Sequence, residues 1–243
     1  MEVIYEDNHL IAVNKAVGEI VQGDKTGDET LADRVKAYVK ERYGKPGDVF
    51  IGVVHRLDRP VSGVVVMART SKGLSRMDEL LRKGGMEKTY LAIVKNRPPK
   101  DEGELKDYLV RNERQNKSYA YEEPRDDAKE ARLLYKVVAH SDCYLLLAVR
   151  LLTGRHHQIR CQLAHAGCPI RGDLKYGAPR SNPDGGISLH AWRVRFEHPV
   201  KHTPVEITAP LPKDNLWQSF AERVAKLGEG SIFGEEREEV DAK

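Results

Sequence analysis

Short apolar runs, separated by turns rich in Gly, Pro and Asp, recur along the chain. The stretch Val3 to Val13 places apolar residues on both sides of Asp7 and Asn8, which predicts two short strands around a turn. Other runs are too short for helices and contain many β-branched residues, which favours buried strands. They span Val49 to Val54, Val64 to Ala68, Lys88 to Val94 and Tyr144 to Leu151.

Helical spacing of apolar residues occurs in four other stretches. Thr30 and Asp33 form a capping-box pattern that predicts a helix ending at Gly44. Ser71 is the predicted cap of a second helix, with Leu74, Met77 and Leu81 on one face and Gly84 at its end. The remaining two are predicted from about His156 to Ala166, stopped by Gly167, and from Asp214 to Leu227.

Strands and helices are interspersed without the regular alternation of a doubly wound sheet. This order predicts an α+β fold with a central mixed, largely antiparallel sheet flanked by helices. No linker divides the chain, so residues 1–226 are predicted to form a single domain. The segment Lys106 to Lys129 is polar and predicts an irregular, mobile insertion, and the acidic tail 227–243 is expected to be disordered.

Composition places the chain among globular proteins. Its 243 residues are 40% hydrophobic and 32% charged, and no run approaches the roughly 18 apolar residues of a membrane helix. The amino terminus carries Glu2, Glu6 and Asp7 where a signal peptide would carry basic residues. Three cysteines, an odd number, are most simply reduced thiols, and a cytoplasmic location is expected.

The formal net charge of +3 conceals an uneven distribution. Residues 51–96 hold nine bases and four acids, and residues 151–180 hold five bases with Asp173 as the single acid. Segments this basic either bind a polyanion or form solvated surfaces, and charge alone leaves both interpretations open.

Two motifs resemble known ligand sites without matching them. In GEIVQGDKT an extra Asp24 breaks the phosphate-loop register, so a turn is predicted. Cys161, His165 and Cys168 are zinc-compatible ligand types, but three ligands on a packed helix favour core residues, and no metal is expected.

The nine residues HRLDRPVSG, positions 55–63, connect two predicted core strands. Asp58 lies between Arg56 and Arg59, whose positive charges favour an ionised carboxylate even where burial opposes it. A structural ion pair would give the same pattern, so this loop alone leaves both interpretations open.

A second polar cluster, TGRHHQIR at positions 153–160, follows another predicted core strand. His156 and Arg160 are four residues apart on the predicted helix, and Gln158 lies beside them. A solvated helix terminus is the alternative. Because each cluster follows a core strand, the two together indicate one site.

These motifs resemble a known family. HRLDRPVSG, KTYLAIV, LLTGRHHQIR with LAHAGCPIRGDLKYGA, and SLHAWRVRFEHP resemble, in order, the motifs of the RluA-type RNA pseudouridine synthases, from about Tyr5 to Pro212. The resemblance implies an isomerase that detaches a uracil from its ribose in RNA and rejoins it through carbon 5. It further implies a catalytic cleft across the sheet and no metal or cofactor.

The resemblance also assigns residues. Asp58 would be the catalytic aspartate, Arg160 its bidentate partner, and Tyr90 the aromatic residue against the uracil. Arg56 would fill the space left by an extruded nucleotide, and Leu189 would pack against the base. His55 is grouped with the RNA-binding residues, although anchoring the loop suits it better. The remaining expected RNA contacts are Arg59, Arg155, His157, Arg171 and Lys175.

Departures from the family pattern concern the substrate. Val61, His156 and Gln162 stand where many members have Thr, Thr and His. The catalytic-domain pattern begins at once, so the form without an S4-like RNA-binding domain is expected, acting as a monomer on ribosomal or transfer RNA. Two other functions remain open: an RNA-binding or folding-assistance protein with a silent site, and a glycosylase that releases free uracil.

Overall fold

The computed structural model describes residues 1–23, 27–227 and 232–233. Position 24 of the phosphate-loop-like motif and most of the expected disordered tail lie outside them. The strands are β1 Glu2–Glu6, β2 Leu10–Lys15, β3 Gly52–Val53, β4 Ser62–Ala68, β5 Met86–Val94, β6 Glu102–Asn112, β7 Lys117–Tyr121, β8 Lys129–His140, β9 Leu145–Leu151, β10 Leu189–Glu197 and β11 Pro204–Thr208. The helices are α1 Leu31–Arg42, α2 Ser71–Arg82, α3 Gln158–His165, α4 Asn215–Gln218 and α5 Ala221–Leu227, with a 3-10 turn at Leu174–Tyr176.

All strands belong to one sheet, ordered β1-β2-β4-β10-β5-β9-β8-β6-β7, with β11 beside β10 and β3 beside β4. Among the described strands, only β4 and β10 pair in parallel. This arrangement confirms the predicted α+β fold with a mixed, largely antiparallel sheet.

Alternating residues of β4 divide the core between the two faces of the sheet. Val65 and Met67 pack into a cluster that also holds α1 and α3, whereas Val64 and Val66 pack with α2 through Met77. Further along the second face, α4 and α5 pack against β5 and β9. The two polar motifs, 55–63 and 153–160, contribute Leu57, Val61 and Ile159 to the first face, which also holds α3.

The observed helix caps agree with the predicted ones, with two corrections. Thr30 and Asp33 form the predicted capping box. The second helix is capped by Thr70 rather than Ser71, because the Thr70 hydroxyl accepts a hydrogen bond from the Gly73 amide. Asp214 caps the last helical segment as predicted, but that segment is broken into α4 and α5.

Two predicted segments differ from the structure. In the run Val49 to Val54, only Gly52–Val53 is a strand. These two residues pair with Ala68 and Met67 at the end of β4. The prediction of an irregular insertion at Lys106 to Lys129 is wrong: β6 and β7 form a hairpin there, and β6 pairs with β8 over eight residues. Burial alternates along β6: exposed residues alternate with half-buried ones in its first half, and buried Asp107 and Leu109 alternate with half-buried ones further along, so the segment is polar although it is a strand.

Within the described ranges, no helix combines the length and the apolar character that a membrane span requires.

Candidate active site

Asp58 lies in the loop between β3 and β4, and this loop is fixed by side chains from neighbouring elements. The Lys15 ammonium, fully buried, donates hydrogen bonds to the carbonyls of Ala16, Arg59 and Val61 at 3.0, 3.1 and 2.6 Å. His55 accepts a hydrogen bond from the Val66 amide at 3.1 Å. Burial lowers the pKa of Lys15 to about 8. Burial and the nearby Lys88 charge lower the pKa of His55 to about 3, so this ring is neutral and anchors the loop.

Gly63, at the end of the same loop, allows β4 and β10 to approach closely. Its φ is +115°, and a Cβ there would lie 2.2 Å from the Ala191 carbonyl oxygen. The close approach brings Leu189 of β10 beside the loop. A pocket of about 100 Å³ results, lined by Arg56, Leu57, Asp58, Val61, Tyr90, Leu151, Arg155, His157, Gln158, Ile159, Arg160 and Leu189.

Arg160 links two aspartates. Its Nη1 donates to Asp58 Oδ2 at 3.0 Å, while Nε and Nη2 donate to the two oxygens of Asp173 at 2.7 and 2.9 Å. The bidentate pair expected with Asp58 is therefore formed with Asp173, and Asp58 receives a single bond. Burial opposes the charge, but the bonds and charges of Asp173 and Asp58 raise the pKa of Arg160.

The degree of burial separates the two aspartates. Asp173 is 1% exposed, whereas the Asp58 side chain is 32% exposed and faces the pocket. One carboxylate therefore holds the guanidinium, and the other is accessible to a substrate. The cation beside the accessible carboxylate is itself fixed in place by the buried one.

His157 is strained at the base of the pocket. Its φ is +54°, and it lies immediately before α3, so the helix begins at Gln158 rather than near His156. Consequently, His156 and Arg160 do not share an exposed helix face, and Arg160 is buried instead. His157 Nε2 lies 3.5 Å from Asp58 Oδ2. Burial and then the Arg160 charge lower the pKa of His157 to about 2, so the ring is neutral at physiological pH.

Two tyrosines complete the pocket and its support. Tyr90 is 8% exposed and lines the pocket; burial and then the Asp58 charge raise the pKa of its phenol. Tyr176 supports the site from behind: its hydroxyl lies 3.0 Å from His157 Nδ1, and its ring centroid is 5.1 Å from Arg160 Cζ. A hydrogen bond from the Ser118 amide to the Tyr176 hydroxyl ties this support to β7.

His156 joins the pocket loop to the β6–β7 hairpin. Its Nδ1 lies 2.9 Å from Ser118 Oγ and its Nε2 lies 3.1 Å from Asn116 Oδ1. Its ring stacks on His157 with the centroids 3.8 Å apart. The β6–β7 hairpin, which was not predicted from the sequence, therefore supports the pocket.

The expected RNA-binding residues fall into two groups. Arg56, Arg155, His157 and Leu189 line the pocket. His55, which anchors the loop, is outside its lining, as are three others. Arg59 pairs with Asp28 at 2.8 Å, Arg171 donates to Ser188 Oγ at 3.2 Å, and Lys175 donates to the Asn116 carbonyl at 3.0 Å.

The cysteine and histidine motif in α3 is occupied by protein contacts. Cys161 Sγ donates to the Ser118 carbonyl, and His165 Nδ1 lies 2.8 Å from Asp107 Oδ1. In the part of the chain that the structure describes, no three His, Cys, Asp or Glu side chains are grouped as metal ligands.

The sequence motifs assigned no role to Asp173, Lys15 or Tyr176, which support the site in the structure. Asp173 did leave a signal, because it is the single acid in the basic segment 151–180. An isolated acid among bases is a natural partner for a buried arginine. Lys15 and Tyr176 left no such signal, since their contacts are made only in the folded chain.

Comparison with known proteins places the chain in a family. A family model described as RNA pseudouridylate synthase matches residues 9–165. The ribosomal large subunit pseudouridine synthase D of Xylella fastidiosa is 34% identical over 98% of this chain and 72% of its own length. The tRNA pseudouridine synthase C of Vibrio vulnificus is 32% identical over 92% of this chain and 95% of its own.

Similarity in fold extends to a solved structure. The human RNA Pseudouridylate Synthase Domain Containing 4 superimposes with a TM-score of 0.76 over 92% of this chain and 93% of that one, at 22% identity. The family match, the relatives and the fold together confirm the resemblance inferred from the motifs. The chain belongs to the RNA pseudouridylate synthase family and is an isomerase that acts on RNA.

Proposed function

We propose that this enzyme converts uridine to pseudouridine in ribosomal or transfer RNA, with Asp58 as its catalytic carboxylate. Asp58 is the accessible acid of the pocket, and Arg160 contacts it at 3.0 Å. This contact is the observation that carries the proposal. Relatives named for ribosomal and for transfer RNA have similar identities to the chain, so both RNA classes are candidates.

In the proposed reaction, Asp58 acts on the ribose of the bound uridine. An ionised carboxylate either attacks the anomeric carbon and displaces the uracil at N1, which gives a glycosyl ester, or removes the C2′ proton as the uracil leaves, which gives a glycal. In both routes carbon 5 of the turned uracil then bonds to the anomeric carbon, the carboxylate leaves or the proton returns to C2′, and the proton of carbon 5 is lost to a base. Both routes need an anionic Asp58. Arg160 donates a charged hydrogen bond to Asp58, and Asp173 positions Arg160 from the buried side.

Tyr90 is proposed to contact the base. Its ring forms a wall of the pocket, and an aromatic face stacks well on a uracil. Because burial and Asp58 raise the pKa of its phenol, the hydroxyl stays protonated at neutral pH. The phenol therefore enters the reaction as a proton donor or a hydrogen-bond donor, not as a phenolate.

A uridine in folded RNA must leave its stack to reach Asp58, at a cost of a few kcal/mol. Arg56 is exposed at the pocket, where its planar guanidinium can stack in the space that the base vacates. Leu189, 4% exposed, is proposed to pack against the extruded base. Arg155 is proposed to contact a phosphate at the same opening, and this binding weakens with salt.

The five other residues expected to contact RNA fall into two groups. His55 and His157 are uncharged at neutral pH and hold the loop and the pocket base, so we assign them positioning roles. Arg59, Arg171 and Lys175 lie outside the pocket lining, and we retain them as more distant phosphate contacts. A cytoplasmic, monomeric enzyme without a metal or cofactor stays our prediction.

Pseudouridine mapping tests the proposal most completely. Total RNA from cells that lack the gene is incubated with the purified enzyme and mapped by carbodiimide labelling, because the product has the same mass as uridine. We expect new pseudouridine at defined positions in ribosomal or transfer RNA. RNA binding without new pseudouridine would instead support a folding-assistance protein, and free uracil in the supernatant would support a glycosylase.

A further inference from the structure

Lys88 is a half-buried cation without a protein partner. In the part of the chain that the structure describes, its ammonium makes no hydrogen bond and has no acid within 4.0 Å. Burial alone lowers the pKa of Lys88, with no compensating protein charge. Lys15 differs, since three carbonyls accept from its ammonium. A partly desolvated cation with no partner is costly to fold and is typical of a site that receives an anion.

The position of Lys88 connects it to the pocket opening. It lies on β5 two residues before Tyr90. A Cβ at Gly154 would meet only one atom within 4 Å, Lys88 Nζ at 3.9 Å. The ammonium therefore lies beneath residue 154, which is exposed and has no side chain to cover it.

Two neighbours of Lys88 adjoin the pocket lining. Gly154 precedes Arg155, and His55, whose pKa is lowered partly by the Lys88 charge, precedes Arg56. Arg155 and Arg56 both line the pocket, whereas Lys88 does not. Lys88 is thus adjacent to the place where a base would enter, but outside the space that the base would fill.

We propose that Lys88 binds a backbone phosphate of the RNA strand next to the extruded uridine, beside Arg155 and beneath Gly154. This inference rests on the proposed function. Phosphates are the anionic groups of RNA, and they remain outside the pocket when the base is inside it. An ammonium on a flexible stem suits a phosphate as a point charge, and the absence of a side chain at Gly154 allows the strand to approach.

Salt dependence of RNA binding tests the proposal. The probe is a fluorescently labelled oligouridylate, because a flexible single strand can offer a uridine without unpairing. Full-length wild type is compared with Lys88→Met, Lys88→Arg and the control Lys72→Met, an exposed lysine on α2. For Lys88→Met we expect affinity to fall about fivefold to tenfold. We also expect the slope of log K against log salt to decrease in magnitude by about 0.7. Lys88→Arg retains most of the affinity, and Lys72→Met matches wild type.

Thermal unfolding separates a binding role from a structural one. Because Lys88 makes no hydrogen bond within the described part of the chain, Lys88→Met is expected to unfold at the wild-type temperature or above it. Lys88→Gln provides a second charge removal if the Met variant misfolds. A variant that loses stability yet binds RNA with the wild-type slope would overturn the proposal.

Failure of this inference is distinct from failure of the proposed function. An active Lys88→Met enzyme with the wild-type salt slope overturns the phosphate site alone. If wild type forms no pseudouridine while Lys88→Met still lowers the slope, the proposed function is overturned and Lys88 remains supported as a phosphate ligand.

Discussion

Two ion pairs of nearly equal length differ in burial: one lies at the pocket and the other at the surface of the sheet. Arg160 Nε is 2.7 Å from Asp173 Oδ2 at the pocket, and the two side chains are 6% and 1% exposed. Lys136 Nζ is 2.6 Å from Glu102 Oε2 across β8 and β6, and these side chains are 43% and 64% exposed. The interaction energies of the two pairs differ although the distances are similar, because water screens the exposed pair and is excluded from the buried one.

The difference explains what each pair contributes. An exposed pair between flexible side chains contributes up to about 1 kcal/mol to the free energy of unfolding. Removal of one partner from a buried pair leaves an uncompensated charge and costs about 3–5 kcal/mol. At the pocket, this energy fixes the orientation of Arg160, whose remaining Nη1 is directed at Asp58.

The largest effect is expected for Asp173→Asn. The amide keeps the shape of the carboxylate but leaves the Arg160 charge buried without its main partner. We expect the free energy of unfolding to fall by about 3–5 kcal/mol in denaturant titrations. We also expect isomerisation of the folded enzyme to fall by about 100-fold, because Arg160 no longer holds its orientation. A variant within about 1 kcal/mol of wild type would remove the distinction between the two regions.

Tyr90→Phe sharpens the comparison by removing one hydroxyl from the pocket. The ring still stacks, but the phenolic proton is lost, so kcat is expected to fall by about 100-fold or more while RNA affinity is retained. Tyr119→Phe is the matched control, since Tyr119 is exposed on β7 at the outer end of the sheet. Single-turnover rates measure both variants. A Tyr90→Phe rate near wild type would limit Tyr90 to stacking.

Acid is expected to lower the free energy of unfolding, because two buried histidines are neutral in the folded protein. The folded-state pKa of His157 is about 2 and that of His190, buried beside Ser62, is about 4, against 6.5 for the free side chain. Between pH 6.5 and about 4 the unfolded chain therefore binds more protons, and stability falls as the pH falls. Each histidine contributes about 1.4 kcal/mol per pH unit in this window.

Denaturant titrations from pH 7.5 to 4.5 measure this dependence. His157→Gln should reduce the slope of the unfolding free energy against pH by the contribution of one histidine, because the unfolded variant binds one proton fewer. A stability that stays constant below pH 6.5 would contradict the neutral state of these rings.

The smallest effect is expected for the outer pair. A double-mutant cycle with Glu102→Gln and Lys136→Met should give a coupling of about 0.2–1 kcal/mol, reduced further by salt. Isomerisation should be unchanged in all three variants. A coupling comparable with the loss in Asp173→Asn would show that burial does not separate the two regions.

Strands β4, β5 and β9 could be predicted from the sequence because most of their residues are apolar on both faces. Every residue of β4 is buried, and β5 is buried from Thr89 onward, so an uninterrupted apolar run was sufficient. On β6 charged residues occupy exposed positions and also the buried position of Asp107, and its strand character comes from pairing with β7 and β8. Pairing partners distant in sequence cannot be deduced from composition, so the hairpin was missed.

The same limit applies to the site. Asp58, Tyr90 and Arg160 were identified from motifs, and the structure brings them to one pocket. The bidentate partner of Arg160 was misassigned. The isolated position of Asp173 indicates a partner for a base, but it does not show which of the two acids forms two bonds. Asp173 is thirteen residues from Arg160 along the chain, whereas Asp58 is 102 residues away, and only the folded positions give Asp173 two bonds.

The most direct test of the account compares Asp58→Ala with Asp142→Ala, an exposed aspartate between β8 and β9. Both variants are assayed for pseudouridine formation on RNA from cells that lack the gene and for RNA affinity. We expect no detectable product from Asp58→Ala with RNA still bound, and wild-type product from Asp142→Ala. Turnover by Asp58→Ala near the wild-type rate would show that Asp58 is not the catalytic carboxylate.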